Sequence, residues 1–155
     1  MGYAGLVQRM GHQRWFAALG RRLTPVDRWV QRRTRGRWSV IGPRVLPELL
    51  LTTTGRRSGL PRTQPLLYVR DGAGYVVIGS NWGQAHHPAW SGNLLANPDA
   101  MVTVGGAAVP VRAVLVEGPE RERLWQMMLA MWPGYTVYES RSGRHIRVFR
   151  LERRA

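Results

Sequence analysis

Apolar and polar positions recur with one period before residue 38 and another after residue 48. The first stretch has a helical period. Tyr3, Leu6, Val7 and Met10 make one stripe, and Gly11 separates it from a second. In that second stripe Trp15, Phe16, Leu19 and Leu23 fall within about 100° of each other on a helical wheel, with Arg14, Arg21 and Arg22 outside the arc. Thr24-Pro25-Val26-Asp27 combines a capping Thr, a Pro suited to the first helical position and an acid in the first turn, so it predicts the start of a further helix. Val26, Trp29 and Val30 would be its apolar face, and Arg35-Gly36-Arg37 would end it.

After residue 48 the period shortens. Residues 49–54, 63–70 and 75–79 are short, apolar and β-rich, and Asp71-Gly72-Ala73-Gly74 predicts a hairpin turn. Residues 88–96 predict a short helix stopped by Asn97-Pro98, and 101–104 with 108–117 a hairpin about Gly105-Gly106. Residues 119–132 predict a helix broken by Pro133-Gly134, then a short helix at 135–141 and a last strand at 145–151. Met127, Met128 and Met131 belong more naturally to a core than to a binding surface. About six strands joined by hairpins, with few crossovers, argue for an antiparallel barrel or sheet flanked by helices, an α+β fold.

A chain of 155 residues with 44% apolar residues suits one domain with a substantial core. The net charge is +14, and all 23 cations are arginine. This favours an anionic ligand, nucleic acid or an anionic membrane surface as partner. The absence of cysteine excludes disulfides, thiol nucleophiles, iron–sulfur clusters and cysteine-based zinc sites, and suits a reducing cytosol. The N-terminal sequence has no signal-peptide pattern, and no apolar run approaches the roughly 20 residues of a membrane span.

The chemistry concentrates between residues 49 and 97. Gly55-Arg56-Arg57-Ser58-Gly59 is a glycine-framed turn with two adjacent cations, and Arg62 follows. Such a turn offers close backbone approach and forked donors to a phosphate or carboxylate, or it is a solvated hairpin turn with surface arginines. It is not a Walker loop, lacking both the spacing and the lysine. Gly79-Ser80-Asn81-Trp82-Gly83 forms a second small polar loop. His86-His87 has no nearby carboxylate to complete a metal site. There is no G-x-S-x-G elbow and no carboxylate pair in this region, so an enzyme here would borrow its chemistry from a cofactor. Tyr135 and Tyr138 share a helical face and either donate hydroxyls to a substrate carbonyl or are half-buried core residues.

The ordered set Leu50-Leu51-Thr52-Thr53-Thr54-Gly55-Arg56-Arg57-Ser58-Gly59, Arg62, Pro65-Leu66, Gly79-Ser80-x-x-Gly83, Pro88-x-Trp90, Asn93-Leu94-x-Ala96-Asn97-Pro98 and Tyr135-x-x-Tyr138 resembles the deazaflavin-dependent nitroreductase family, which includes F-420-dependent quinone reductases of actinobacteria. The resemblance extends from about Pro25 to Leu151. It implies a split β-barrel of the flavin-binding type over residues 48–151, behind basic amphipathic helices at 1–38. It also implies coenzyme F-420, an 8-hydroxy-5-deazaflavin whose tail carries a phosphate and an oligoglutamate. Carried over, Arg56, Arg57, Ser58 and Arg62 would hold phosphate and glutamates. Gln64, Pro65, Gly79, Ser80, Asn81 and Asn93 would follow the ring and linker, and Ser80, Tyr135 and Tyr138 would face the acceptor, with Leu67 on the substrate side.

Three positions depart from the family pattern. Asn81 stands where relatives often have lysine, Leu67 where some have tyrosine, and Ser91-Gly92 replaces a bulkier pair. The expected activity is hydride transfer from reduced deazaflavin to a quinone, enone or nitroaromatic. The alternatives are the same barrel using flavin mononucleotide (FMN), a cofactor carrier without turnover, and a basic membrane-surface protein. No nucleic-acid motif is present. A cytoplasmic monomer or homodimer is expected, and its N-terminal 24 residues would lie outside the barrel core and cover the acceptor site or rest on the inner face of the cell membrane. The competing expectation for that segment is an ordinary helix packed on the barrel.

Overall fold

The computed structural model describes residues 14–34 and 46–154. Helix α1 (Arg14–Arg33) precedes strands β1 (Glu48–Thr54), β2 (Pro61–Leu67), β3 (Val69–Asp71) and β4 (Gly74–Ile78). A 3-10 turn (Asn81–Gly83), helix α2 (Ala89–Ala96) and strands β5 (Asp99–Val104) and β6 (Ala107–Leu115) follow. Helices α3 (Gly118–Met131) and α4 (Gly134–Ser142) then lead to β7 (Val148–Arg153). The stripe of Tyr3, Leu6, Val7 and Met10, the break at Gly11, the end at Arg35-Gly36-Arg37, and the side chains of Trp15 and Phe16 lie outside what is described.

All seven strands form one antiparallel sheet in the order β2-β1-β5-β6-β7-β4-β3. The segment predicted as one strand over 63–70 is divided at Tyr68. Before it, β2 pairs with β1 at one end of the sheet; after it, β3 pairs with β4 at the other. Tyr68 N–H bonds the Pro47 carbonyl (3.2 Å) as the chain passes from one edge to the other. This passage brings the two edges together and curls the sheet into a split barrel.

Two cores follow from side-chain alternation on the central strands. Tyr75 and Val77 of β4 face inward with Leu49, Leu51, Trp90, Val102, Phe149 and Leu151. Val76 and Ile78 face outward onto Leu124, Trp125, Met128, Trp132, Tyr135 and Tyr138 of α3, α4 and their junction. Strand β4 is therefore buried on both faces and reads as a continuous apolar run. Each large side chain so buried contributes roughly 1.5–3 kcal/mol. Met128 is fully buried and Met127 and Met131 pack against the same cluster.

Thr24-Pro25 does not start a helix. Helix α1 runs through Pro25, whose ring nitrogen offers no bond to the carbonyl four residues earlier. Local propensity is overridden by packing, because α1 lies along β2 and the 3-10 turn and buries Asp27 fully.

Candidate active site

The basic turn closes the β1–β2 hairpin. Gly55 N–H bonds the Leu60 carbonyl and Gly59 N–H the Gly55 carbonyl, each at 2.8 Å, and Gly59 takes φ +69°, which favours glycine. Arg56 is fixed from the neighbouring helix. Its backbone N–H and Nη1 both donate to Asn93 Oδ1 (3.1 and 3.2 Å), and Nη1 also reaches the Ala89 carbonyl (3.1 Å). Asn93 is buried and anchored by Nδ2 donating to Thr53 Oγ1 (3.1 Å). Gly92 makes the approach possible, since a Cβ there would lie 2.9 Å from Arg56 Nη1. Ser58 Oγ accepts from Leu60 N–H (3.2 Å) and from Arg62 Nη2 (3.3 Å). Arg57 is exposed. Arg56, Arg57 and Arg62 line a groove of about 440 Å³ together with Arg28 and Arg32 of α1.

Beside this groove lies a cavity of about 490 Å³. Gln64, Pro65 and Leu67 of β2 form one wall, and Ser80, Asn81 and Trp82 another. Trp132, Tyr135 and Tyr138 form its floor, and Leu19, Leu23, Asp27 and Arg28 cover it from α1. Groove and cavity adjoin, because Arg28, Gln64 and Trp90 line both. At that seam Arg28 Nε and Gln64 Nε2 are buried donors with no hydrogen-bond partner among the described residues. Burial, and secondly Arg32, holds the Arg28 guanidinium below its ordinary pKa.

The loop after β4 is strained. Asn81 and Trp82 have φ of 46° and 56°, and for a bulky side chain such as Trp82 this costs roughly 1–3 kcal/mol. Arg144 holds the loop in place. Its Nη2 donates to the Ser80 carbonyl (2.7 Å), Nη1 to that of Gly79 (2.9 Å) and Nε to that of Gln84 (3.0 Å). Nη1 also lies 3.1 Å from His87 Nδ1. An arginine only donates, so His87 accepts there and carries its proton on Nε2. Burial first, then Arg147 and Arg144, lowers the His87 pKa and keeps the ring neutral. Asn81 turns its amide back into the loop, with Nδ2 donating to the His86 carbonyl (3.1 Å). Gly83 backs onto Tyr138, and its φ of +75° again favours glycine.

Tyr135 and Tyr138 are 5% and 1% exposed, so they are more deeply buried than the half-buried alternative, yet they also line the cavity. Their rings meet edge to face at 6.2 Å. Burial pushes the Tyr135 hydroxyl far above its ordinary pKa, with Tyr138 adding to the effect. Burial also raises Tyr138, against the opposing hydrogen bond from the Trp132 indole, which as a pure donor makes the Tyr138 oxygen an acceptor. Both phenols remain neutral and retain a proton to donate.

The expected tail residues Arg56, Arg57, Ser58 and Arg62 thus meet in the groove with Asn93, and Gln64, Pro65, Leu67, Ser80, Asn81, Tyr135 and Tyr138 meet around the cavity. Gly79 lines neither. Its N–H bonds the Arg147 carbonyl (2.9 Å) and its own carbonyl accepts from Arg144. Sequence reasoning missed Arg28, Arg32, Arg144 and the cavity tryptophans Trp82 and Trp132. Helical spacing puts Arg28 one turn from Thr24, a signal in principle for the pair on α1. Arg144 follows the left-handed Gly143 in irregular chain and carries no local signal.

The sequence profile of the F420H(2)-dependent quinone reductase family matches residues 24–153. An F420H(2)-dependent quinone reductase of Mycobacterium tuberculosis (strain H37Rv) is 38% identical over 149 residues, covering 94% of this chain and all of the relative. A solved F420-H2 dependent reductase, FDR-A, superposes with a TM-score of 0.64 at 37% identity, covering 68% of this chain and 94% of that one. A second structure, described as a domain-swapped dimer, gives 0.65 at 36% identity, covering 83% and 100%. The heme storage protein HutZ of Vibrio cholerae, at 18% identity and TM-score 0.54 over 70% of this chain and 82% of its own, shares the fold alone.

Proposed function

The chain belongs to the F420H(2)-dependent quinone reductase family, and from that premise we propose that it reduces a quinone with a hydride taken from the reduced deazaflavin coenzyme F420. The observation that carries this reading is the junction of two unlike cavities: an aromatic-walled one sized for a flat ring system, and a groove of five arginines suited to a polyanionic tail. The two orphaned donors at the seam fit the coenzyme, because a ligand spanning both spaces would bring acceptors to Arg28 Nε and Gln64 Nε2. FMN, with one phosphate, would leave most of the groove arginines unanswered.

When bound, the coenzyme supplies the hydride from its ring. The chain supplies position and charge. Arg56, Arg57 and Arg62 hold the tail with forked, charge-assisted bonds, and Gln64 and Pro65 border the ring. Ser80, Tyr135 and Tyr138 present hydroxyl donors to the oxygen of the acceptor, where negative charge develops as hydride arrives. The apolar wall of Leu67, Trp82 and Trp132 and the cover of α1 exclude water and stack a planar acceptor in line. Catalysis here is alignment together with oxyanion stabilisation.

Two sets of measurements test the reading. Fluorescence titration with deazaflavin and with FMN should give tight, salt-sensitive binding of the first alone. Turnover with reduced deazaflavin should be faster on a quinone than on a nitroaromatic of matched potential. Equal affinity for both cofactors would overturn it. We further propose peripheral membrane contact through α1, whose outer stripe of Leu19, Val26 and Trp29 is exposed. No described helix is long and apolar enough to cross a membrane.

A further inference from the structure

Helix α1 brings two arginines to the cofactor groove, and three observations make them more than surface charge. Arg28 sits at the seam where groove and cavity join, and Gln64 and Trp90 also line both spaces. Its Nε and the Nε2 of Gln64 are both buried donors without an acceptor among the described residues. A buried amide or guanidinium nitrogen left in this state is unfavourable, and folded proteins keep few of them. Finally, Arg28 and Arg32 are one turn apart on one face, and Arg32 depresses the protonation of Arg28. Like charges at this spacing destabilise a helix unless something negative lies against them. Two carboxylates line the cavity, buried Asp27 and half-buried Glu48, and neither lines the groove.

We propose that Arg28 and Gln64 form a subsite for the anionic linker of the ligand, the phosphate between its flat ring and its carboxylate-rich tail, with Arg32 completing the charge. This rests on the deazaflavin reading above and deepens it. Phosphate oxygens at the seam accept from the orphaned donors and screen Arg28 from Arg32. One donor comes from β2 of the sheet and the other from α1, so the linker ties the helix to the barrel. Ligand binding and the seating of α1 over the acceptor cavity become one event. The basic turn, on the far side of the groove, holds the remainder of the tail independently.

The test is a fluorescence titration of the whole chain with F420 and with the deazaflavin riboside that lacks phosphate and tail. Arg28→Gln should weaken F420 binding by about tenfold or more and leave the riboside unchanged. Gln64→Leu should weaken F420 about threefold to tenfold. Arg28→Lys, which retains charge without the fork, should fall between wild type and Arg28→Gln. Hydrogen exchange of α1 in the wild type should slow on adding F420 and not on adding the riboside. If F420 binds the wild type and Arg28→Gln alike, or if Arg28→Gln loses both ligands equally, the linker subsite is wrong while the deazaflavin reading stands. If the wild type binds neither ligand, both fall.

Discussion

Asn93 and Arg56, on helix α2 and the β1–β2 turn, share one oxygen: Asn93 Oδ1 accepts from both the backbone and the guanidinium of Arg56. The buried amide thereby sets the direction of a cation that would otherwise sample solvent. Asn93→Ala should destabilise the protein by about 1–3 kcal/mol, because it strands the Arg56 N–H and removes the partner of Thr53. Gly92→Ala separates orientation from stability. Its new methyl would crowd Arg56 Nη1 at 2.9 Å, the mobile end of a side chain, so the guanidinium swings away. Thermal unfolding should shift little for Gly92→Ala while F420 affinity falls about tenfold. Unchanged affinity would show that Arg56 does not touch the ligand.

Arg144 is expected to be a positioning residue for the cavity loop. Arg144→Gln leaves the carbonyls of Gly79, Ser80 and Gln84 without their shared donor and releases the positive-φ pair Asn81 and Trp82. Loss of stability on the order of 3 kcal/mol should accompany a fall in kcat that exceeds the rise in KM. A purely structural arginine would lower stability and leave the kcat of the folded fraction intact.

The same clamp gives a pH dependence. The His87 pKa is lowered in the folded chain from its usual 6.5, so between the folded value and 6.5 the unfolded chain binds more protons. The contribution is therefore fully present above pH 6.5 and lost as pH falls through the window below it. Protonation of Nδ1 also sets two donors against each other at the Arg144 contact. Unfolding free energy measured from pH 8 to 5 should decline in the wild type and decline less in His87→Ala. Parallel curves would remove His87 from the clamp.

The two phenols predict the alkaline side. With burial raising both hydroxyls, Tyr135 most strongly, kcat/KM should show no loss from tyrosine ionisation up to about pH 10. Ser80→Ala and Tyr138→Phe should each lower kcat by more than about 1 kcal/mol of transition-state free energy, with KM little changed. A smaller loss for Ser80→Ala would leave it a loop residue held by its backbone alone.

Much of this site was legible because the local sequence demands it. A glycine-framed Arg-Arg turn and a small polar loop each announce themselves over five residues, and hairpin periodicity predicted the antiparallel sheet. Side-chain partners far apart in sequence were not legible. Ser91 and Gly92 stood out only as small, and the structure supplies the reason. Ser91 Oγ accepts from Arg147 Nη1 (3.0 Å), and Gly92 makes room for Arg56. The division at Tyr68 escaped because both halves are extended and only the change of partner separates them. The false start at Pro25 arose because a Thr-Pro cap is a local signal, whereas α1 is held through that point by the sheet beneath it.

The outer face of α1 carries an exposed apolar and basic stripe. Leu19, Arg22, Val26, Trp29 and Arg33 follow a spacing of three and four residues and are all exposed, Trp29 at 64% and Val26 at 51%. Apolar side chains alternating with arginines along one stripe suit the headgroup boundary of an anionic bilayer, where the indole sits at the interface and the cations meet phosphate. Leu19 also lines the cavity mouth, so a docked helix would open the acceptor site towards the lipid in which long-tailed quinones dissolve. The protein should float with vesicles containing anionic lipid and not with neutral ones, and salt should release it. With seven tryptophans in the chain, the specific readout is quenching by brominated lipid that disappears in Trp29→Phe. Trp29→Ala should lower flotation several-fold, and activity on a long-tailed quinone in vesicles should fall with it, while activity on a short soluble quinone is retained. If Trp29→Ala instead converts a dimer to a monomer in sedimentation and leaves flotation untouched, this stripe is a contact between copies of the chain and not a membrane face.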